Sequence, residues 1–178
     1  MCHVEAESML EPRLSSIISL PVFAPERGSG ARGASASPFG HGQRGVNVLK
    51  GLRVLVVEDD PDARELVMTI LEEAGAVVQS APSAASGFAA IGTFHPQLIV
   101  SDIGMPETDG YGLIAQIREH ERVIGRRALP AIAATAYARA DDRQKSLLAG
   151  YQLHIAKPIE PRELVAAIAS LLRVTGVS

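Results

Sequence analysis

Residues 53–75, RVLVVEDDPDARELVMTILEEAG, decide how the rest of the chain is read. Arg53-Val54-Leu55-Val56-Val57 is a short β-branched apolar run, the composition of a central strand buried on both faces. Beyond it Ala63, Leu66, Val67, Ile70, Leu71 and Ala74 recur at helical spacing, and Gly75 supplies a stop. A strand passes into an amphipathic helix, with Glu58-Asp59-Asp60 at the joint.

The same alternation continues downstream. Strands are predicted near Val77–Ser80, Gln97–Ser101, Ala131–Ala134 and Leu153–Ala156. Helices are predicted at about Ser83–Phe94, Gly110–Glu121, Asp141–Leu148 and Pro161–Arg173. Five strand–helix units in succession predict a parallel sheet covered on both faces. No internal repeat is visible, which argues against a solenoid. Upstream, Glu26 to Gly45 is rich in Gly, Ser, Ala and Arg and offers too little apolar surface to offset the entropy of ordering. Residues 1–48 are therefore expected to be a flexible extension and linker, and 49–175 the folded domain.

Composition narrows the function classes. The 178-residue chain is 47% hydrophobic, enough for one ordinary core plus extra sequence. Its formal charge of -3 sets up no global field toward nucleic acid or an anionic membrane. Arg122, Arg126 and Arg127 cluster without interleaved aromatics and read as a solvated loop. The single cysteine, Cys2, excludes an internal disulfide framework and a cysteine-rich zinc site. No apolar run approaches the roughly 20 residues that span a bilayer, and Glu5, Glu7 and Glu11 interrupt any secretory pattern. A cytoplasmic protein with no membrane association is expected.

In an open parallel sheet, ligands bind at the carboxyl ends of the strands. There the chain carries Glu58-Asp59-Asp60 after the first strand, Asp102 after the third, Thr135 after the fourth and Lys157 after the fifth. Crowded carboxylates ionise at a cost unless a cation sits among them. Magnesium, which takes carboxylate, carbonyl and water oxygens and keeps open positions, fits such a site. An aspartate is a competent nucleophile toward phosphorus, and an ammonium and a hydroxyl would help spread the charge of the transferred group.

Four segments now carry a resemblance. Val54-Leu55-Val56-Val57-Glu58-Asp59-Asp60, Ser101 to Gly110, Ala134-Thr135-Ala136 and Ala156-Lys157-Pro158 resemble the signature segments of response-regulator receivers. That resemblance implies a flavodoxin-like doubly wound α/β sandwich with strand order 2-1-3-4-5. It implies a two-component signalling switch, not an enzyme, in which Asp102 accepts a phosphoryl group from a histidine kinase or histidine phosphotransfer protein. It implies magnesium held by Asp59, Asp60, Asp102 and the Gly104 backbone carbonyl, with Asp60 the more direct of the two upstream ligands. Thr135 and Lys157 would contact the phosphoryl oxygens, the Lys157–Pro158 bond would be cis, and the face formed by the fourth helix, fifth strand and last helix would carry the change. Homodimerisation on phosphorylation is a further implication, and direct nucleic-acid binding is not expected.

Two positions depart from the family. His154 stands where receivers often carry an aromatic switch residue. Gly104 has no side chain to orient an attacking water, whereas Tyr137 is bulky enough to shield the phosphoryl group, so slow self-dephosphorylation is expected. Asp59 and Asp60 also suit plain capping of a helix that starts at Pro61. An aspartate-nucleophile phosphatase of the haloacid-dehalogenase type is an alternative, but it would want a second Asp at position 104. A flavodoxin-like nucleotide or flavin module would want a glycine- and hydroxyl-rich loop where Glu58-Asp59-Asp60 stands. The chain ends shortly after the last helix, so output is expected through protein–protein contact. Leu20-Pro21-Val22-Phe23 before the Gly-rich stretch is similar to the last strand of a histidine-kinase ATPase domain, which favours a hybrid-kinase origin over a stand-alone receiver.

Overall fold

The structure, a computed structural model, describes residues 47–136 and 140–176. In chain order the elements are β1 (Arg53–Val57), α1 (Pro61–Glu73), β2 (Val77–Ala81), α2 (Ala84–Phe94), β3 (Leu98–Asp102), α3 (Gly110–Ile124), β4 (Ala131–Thr135), α4 (Ala140–Ala149), β5 (Leu153–Ala156) and α5 (Pro161–Thr175). All strand pairings are parallel, and the sheet order is β2-β1-β3-β4-β5, as the resemblance implied.

The two-residue period of the strands splits the core in two. Val54 and Val56 face one side with Val67, Ile70 and Leu71 of α1 and Leu164, Ile168 and Leu171 of α5. Leu55 and Val57 face the other, with Ala84 and Ala90 of α2 and Leu113, Ile114 and Ile117 of α3. The inner strands β1, β3 and β4 are largely apolar because helices cover both faces of the sheet there, whereas the edge strands β2 and β5 are only partly buried. On the second side Gly87 lets α2 lie directly on β1, since a Cβ at that position would come within 2.7 Å of Val57.

Element ends follow hydrogen bonding more than apolarity. β3 runs through Asp102 because Asp102 pairs with Ala134 and the Ile103 amide still reaches the Ala134 carbonyl at 3.0 Å. α3 continues past Glu121 to Ile124: Glu121 is a buried carboxylate, held at 2.7 Å by Arg118 and at 2.6 Å by the Leu129 amide. Gly125 then closes the helix at φ 65°. His95, one residue past the predicted helix, is the left-handed C-cap of α2 at φ 51°. The segments around Leu20–Phe23 and Glu26–Gly45, and Tyr137, lie outside the described residues.

Candidate phosphoacceptor site

The strand order reverses at β1, whose neighbours β2 and β3 are reached by crossovers on opposite sides of the sheet, and the candidate site lies at the carboxyl ends of β1 and β3. The register sets Val57 beside Ser101, so the residues that follow, Glu58 and Asp102, emerge side by side. Both are buried, with relative exposures of 3% and 7%. Arg64, one turn into α1, donates from Nη1 to the carbonyls of Glu58 at 2.8 Å and Asp59 at 3.2 Å, which ties down the loop that presents them.

Lys157, just past β5, reaches across the top of the sheet. Its Nζ lies 2.8 Å from Glu58 Oε2 and 3.1 Å from Asp102 Oδ2. Its backbone amide donates to the Thr135 carbonyl at 2.8 Å, which joins the ends of β4 and β5. Thr135 is buried at the end of β4, two strands from β1 and next to β3. The Lys157–Pro158 bond is cis, as the resemblance implied.

Glu58, Asp59 and Asp102 each offer a carboxylate oxygen, and these three oxygens all lie within 4.8 Å of one another. Burial pushes the Glu58 carboxyl above its usual range; the hydrogen bond from Lys157 pulls it back, and the charges of Asp102 and Asp59 push it up again. Burial acts on Lys157 in the other sense. Burial lowers it, but the Glu58 hydrogen bond and the Asp102 and Glu58 charges prevail and hold its ammonium above the usual value. One lysine thus leaves the crowding of three carboxylates only partly compensated, and the donor set is all oxygen. That combination fits a hard divalent cation. Gly104 belongs to the same neighbourhood, since a Cβ there would lie 3.6 Å from Asp102 Oδ2.

Asp60 does not join this group. It is exposed and serves as the N-cap of α1, its Oδ1 accepting from the Ala63 amide at 2.7 Å. The acidic cluster is therefore Glu58 and Asp59 with Asp102, one residue upstream of the expected Asp59–Asp60 pair. The sequence held the signal: Asp followed by Pro at the first helical position is a cap-and-start pattern. Assigning Asp60 to the cap leaves Glu58 and Asp59 for the pocket. His154 sits half-buried on β5 opposite Ala133, with Nε2 buried and without a hydrogen-bond partner among the described residues. Arg122, expected in a solvated loop, is instead exposed in the last turn of α3 and paired with Glu119 at 2.6 Å.

The chain is thus a five-stranded doubly wound α/β module with an acidic, lysine-bridged cluster at its switch point. The sequence profile described as response regulator receiver domain matches residues 54–169, and the chain belongs to that family. It is 42% identical over 123 residues to an uncharacterized 14.6 kDa protein in the sodA1 3′ region of Leptolyngbya boryana, covering 69% of this chain and 92% of that protein. It is 37% identical over 123 residues to the transcriptional regulatory protein GltR of Pseudomonas aeruginosa, covering 69% of this chain and 50% of the regulator. The chain thus spans about half the length of that regulator. A putative response regulator from Chloroflexus aurantiacus superposes with a TM-score of 0.64 at 30% identity, covering 70% of this chain and 99% of that structure. Among the described residues no helix is long and apolar enough to cross a membrane.

Proposed function

We propose that this receiver accepts a phosphoryl group from a partner's phosphohistidine onto Asp102 in a magnesium-dependent step, and that it signals by protein–protein contact. The observation that carries the proposal is the bridge of Lys157 Nζ to both Glu58 and Asp102 above three converging carboxylates. An Asp102 carboxylate oxygen attacks phosphorus, the P–N bond of the donor breaks, and the electron pair leaves with the donor imidazole. Lys157, already within 3.1 Å of Asp102, follows the new negative charge onto the phosphoryl oxygens, and Thr135 donates its hydroxyl to them.

Asp59, Asp102 and the Gly104 carbonyl would hold magnesium, with Glu58 behind them, and the ion would supply charge neutralisation and fix the phosphoryl group's orientation. Asp60 caps α1 instead of ligating. The reading is a regulator that undergoes only its own phosphorylation and dephosphorylation, in the cytoplasm, with a histidine kinase or histidine phosphotransfer protein upstream. Leu148 of α4 is 81% exposed and Leu147 is 45% exposed, an apolar edge suited to a downstream protein or to a second copy after phosphorylation.

The test is incubation with magnesium and acetyl phosphate. A hydroxylamine-labile adduct that forms on the wild type and is missing in Asp102→Asn supports the reading. An adduct that persists in Asp102→Asn, or turnover of a phosphomonoester, overturns it.

A further inference from the structure

The stretch from Ile103 to Asp109 leaves β3, carries Gly104, and returns to α3. Its neck is closed by two hydrogen bonds. The Gly110 amide donates to the Ile103 carbonyl at 3.1 Å, and the Gly110 carbonyl accepts from the Tyr151 hydroxyl at 2.8 Å. Gly110 backs directly onto the acceptor's main chain: a Cβ there would press on the Asp102 carbonyl, and would lie 2.8 Å from Ile103 Cα and 3.0 Å from the Tyr151 hydroxyl.

Tyr151 is only 3% exposed and packs in the core on the α2–α3 side of the sheet. Burial pushes its phenol far above the ordinary tyrosine range, with the Ser101 hydroxyl drawing it partly back, so it stays a donor. Ser101 in turn donates to the Asp102 carbonyl at 2.9 Å. The backbone of Tyr151 belongs to the turn between α4 and β5, its amide bound to Ser146 at 3.1 Å while the Gln152 amide holds Ala131 at 3.0 Å. One side chain therefore spans from the α4–β5 turn to the underside of the acceptor loop.

We propose that Tyr151 is the positioning residue of the phosphoacceptor loop: its buried hydroxyl sets the neck at Gly110, and through it the placement of Asp102 and Gly104 depends on the α4–β5 turn. The proposal rests on the reading of Asp102 and Gly104 as magnesium-binding residues for its metal arm, though not for its metal-free arm. Coupling of this kind is reciprocal. Ion binding at the loop tightens the turn, and loosening the turn weakens ion binding.

The experiment compares the whole protein with Tyr151→Phe, which keeps the ring, and with Ile168→Val, which trims the core on the opposite side of the sheet. Metal-free amide exchange is read first. Tyr151→Phe should speed exchange across Ile103–Gly110, and Ile168→Val should leave that segment unchanged relative to its neighbours. Magnesium affinity by calorimetry should then fall about ten-fold in Tyr151→Phe, the loss typical of removing a group that orients a ligand, with saturation recovered at high magnesium. Magnesium should also protect the Tyr151 and Gln152 amides in the wild type and fail to do so in Tyr151→Phe.

Unchanged loop exchange in metal-free Tyr151→Phe overturns the proposal. An equal loss of affinity in Ile168→Val does so too, because general loosening would then account for the effect. A wild type that binds no magnesium sinks the magnesium reading of the site, and the metal-free exchange still decides the role of Tyr151.

Discussion

Asp60 and Glu58 are two positions apart and serve opposite ends of the same joint. Asp60 satisfies an amide of the first turn of α1, whereas Glu58 is buried against Lys157. Asp60→Ala should therefore cost about 1 kcal/mol of stability through the lost cap, seen as a lower melting temperature, while magnesium affinity stays near the wild-type value. Asp59→Asn should do the reverse, with little change in melting temperature and magnesium binding reduced at least about ten-fold by calorimetry. Glu58 gives a prediction with a sign. Its carboxyl is raised in the folded chain, so folding favours the protonated form, and this favourable contribution is complete only below the unfolded value of 4.5. It is lost as pH rises through the folded pKa. Metal-free Glu58→Gln, which mimics the protonated state, should thus be at least as stable as the wild type at neutral pH, and its stability should fall less between pH 4.5 and neutrality in urea titrations. A mutant clearly less stable at neutral pH would show that the Lys157 bridge outweighs the burial of Glu58.

At the scale of elements, the packing of α2 on β1 depends on the missing side chain of Gly87. Gly87→Ala would gain helix propensity, yet its Cβ would meet Val57 at 2.7 Å on a strand that cannot move without disturbing Glu58. Overpacking should win and destabilise by about 1–3 kcal/mol, measured by denaturant titration. The element boundaries carry the same lesson about legibility. β1 and β5 coincide with the predicted strands Arg53–Val57 and Leu153–Ala156. α3 extends three residues beyond the expected end because Glu121 looks like a surface residue in the sequence and is instead folded inward onto Arg118 and Leu129. A polar residue marks a helix end only if its partner is water, and the sequence does not reveal its partner.

For the whole molecule, binding that occurs only in the folded state raises stability by mass action. Magnesium at one hundred times its dissociation constant should add about 2.7 kcal/mol, and this increment should vanish in Asp102→Asn when melting curves with and without the ion are compared. The alternation of apolar runs with amphipathic helices was enough to predict a parallel sheet covered on both faces, since strands buried on both faces and helices with one apolar stripe have few other ways to exclude water. The order of the strands and the expectation that Asp102 is the acceptor came from the resemblance, and the ends of the strands named the residues that would gather. Tertiary structure decided which of three consecutive carboxylates turns inward, because a register and a helix cap, both set by hydrogen bonds to distant or later residues, assign Glu58 and Asp59 to the pocket and Asp60 to α1. It also decided the place of Tyr151. Nothing in the local sequence links a tyrosine before β5 to a glycine 41 positions earlier until the sheet stacks β3 beside β4 and β4 beside β5.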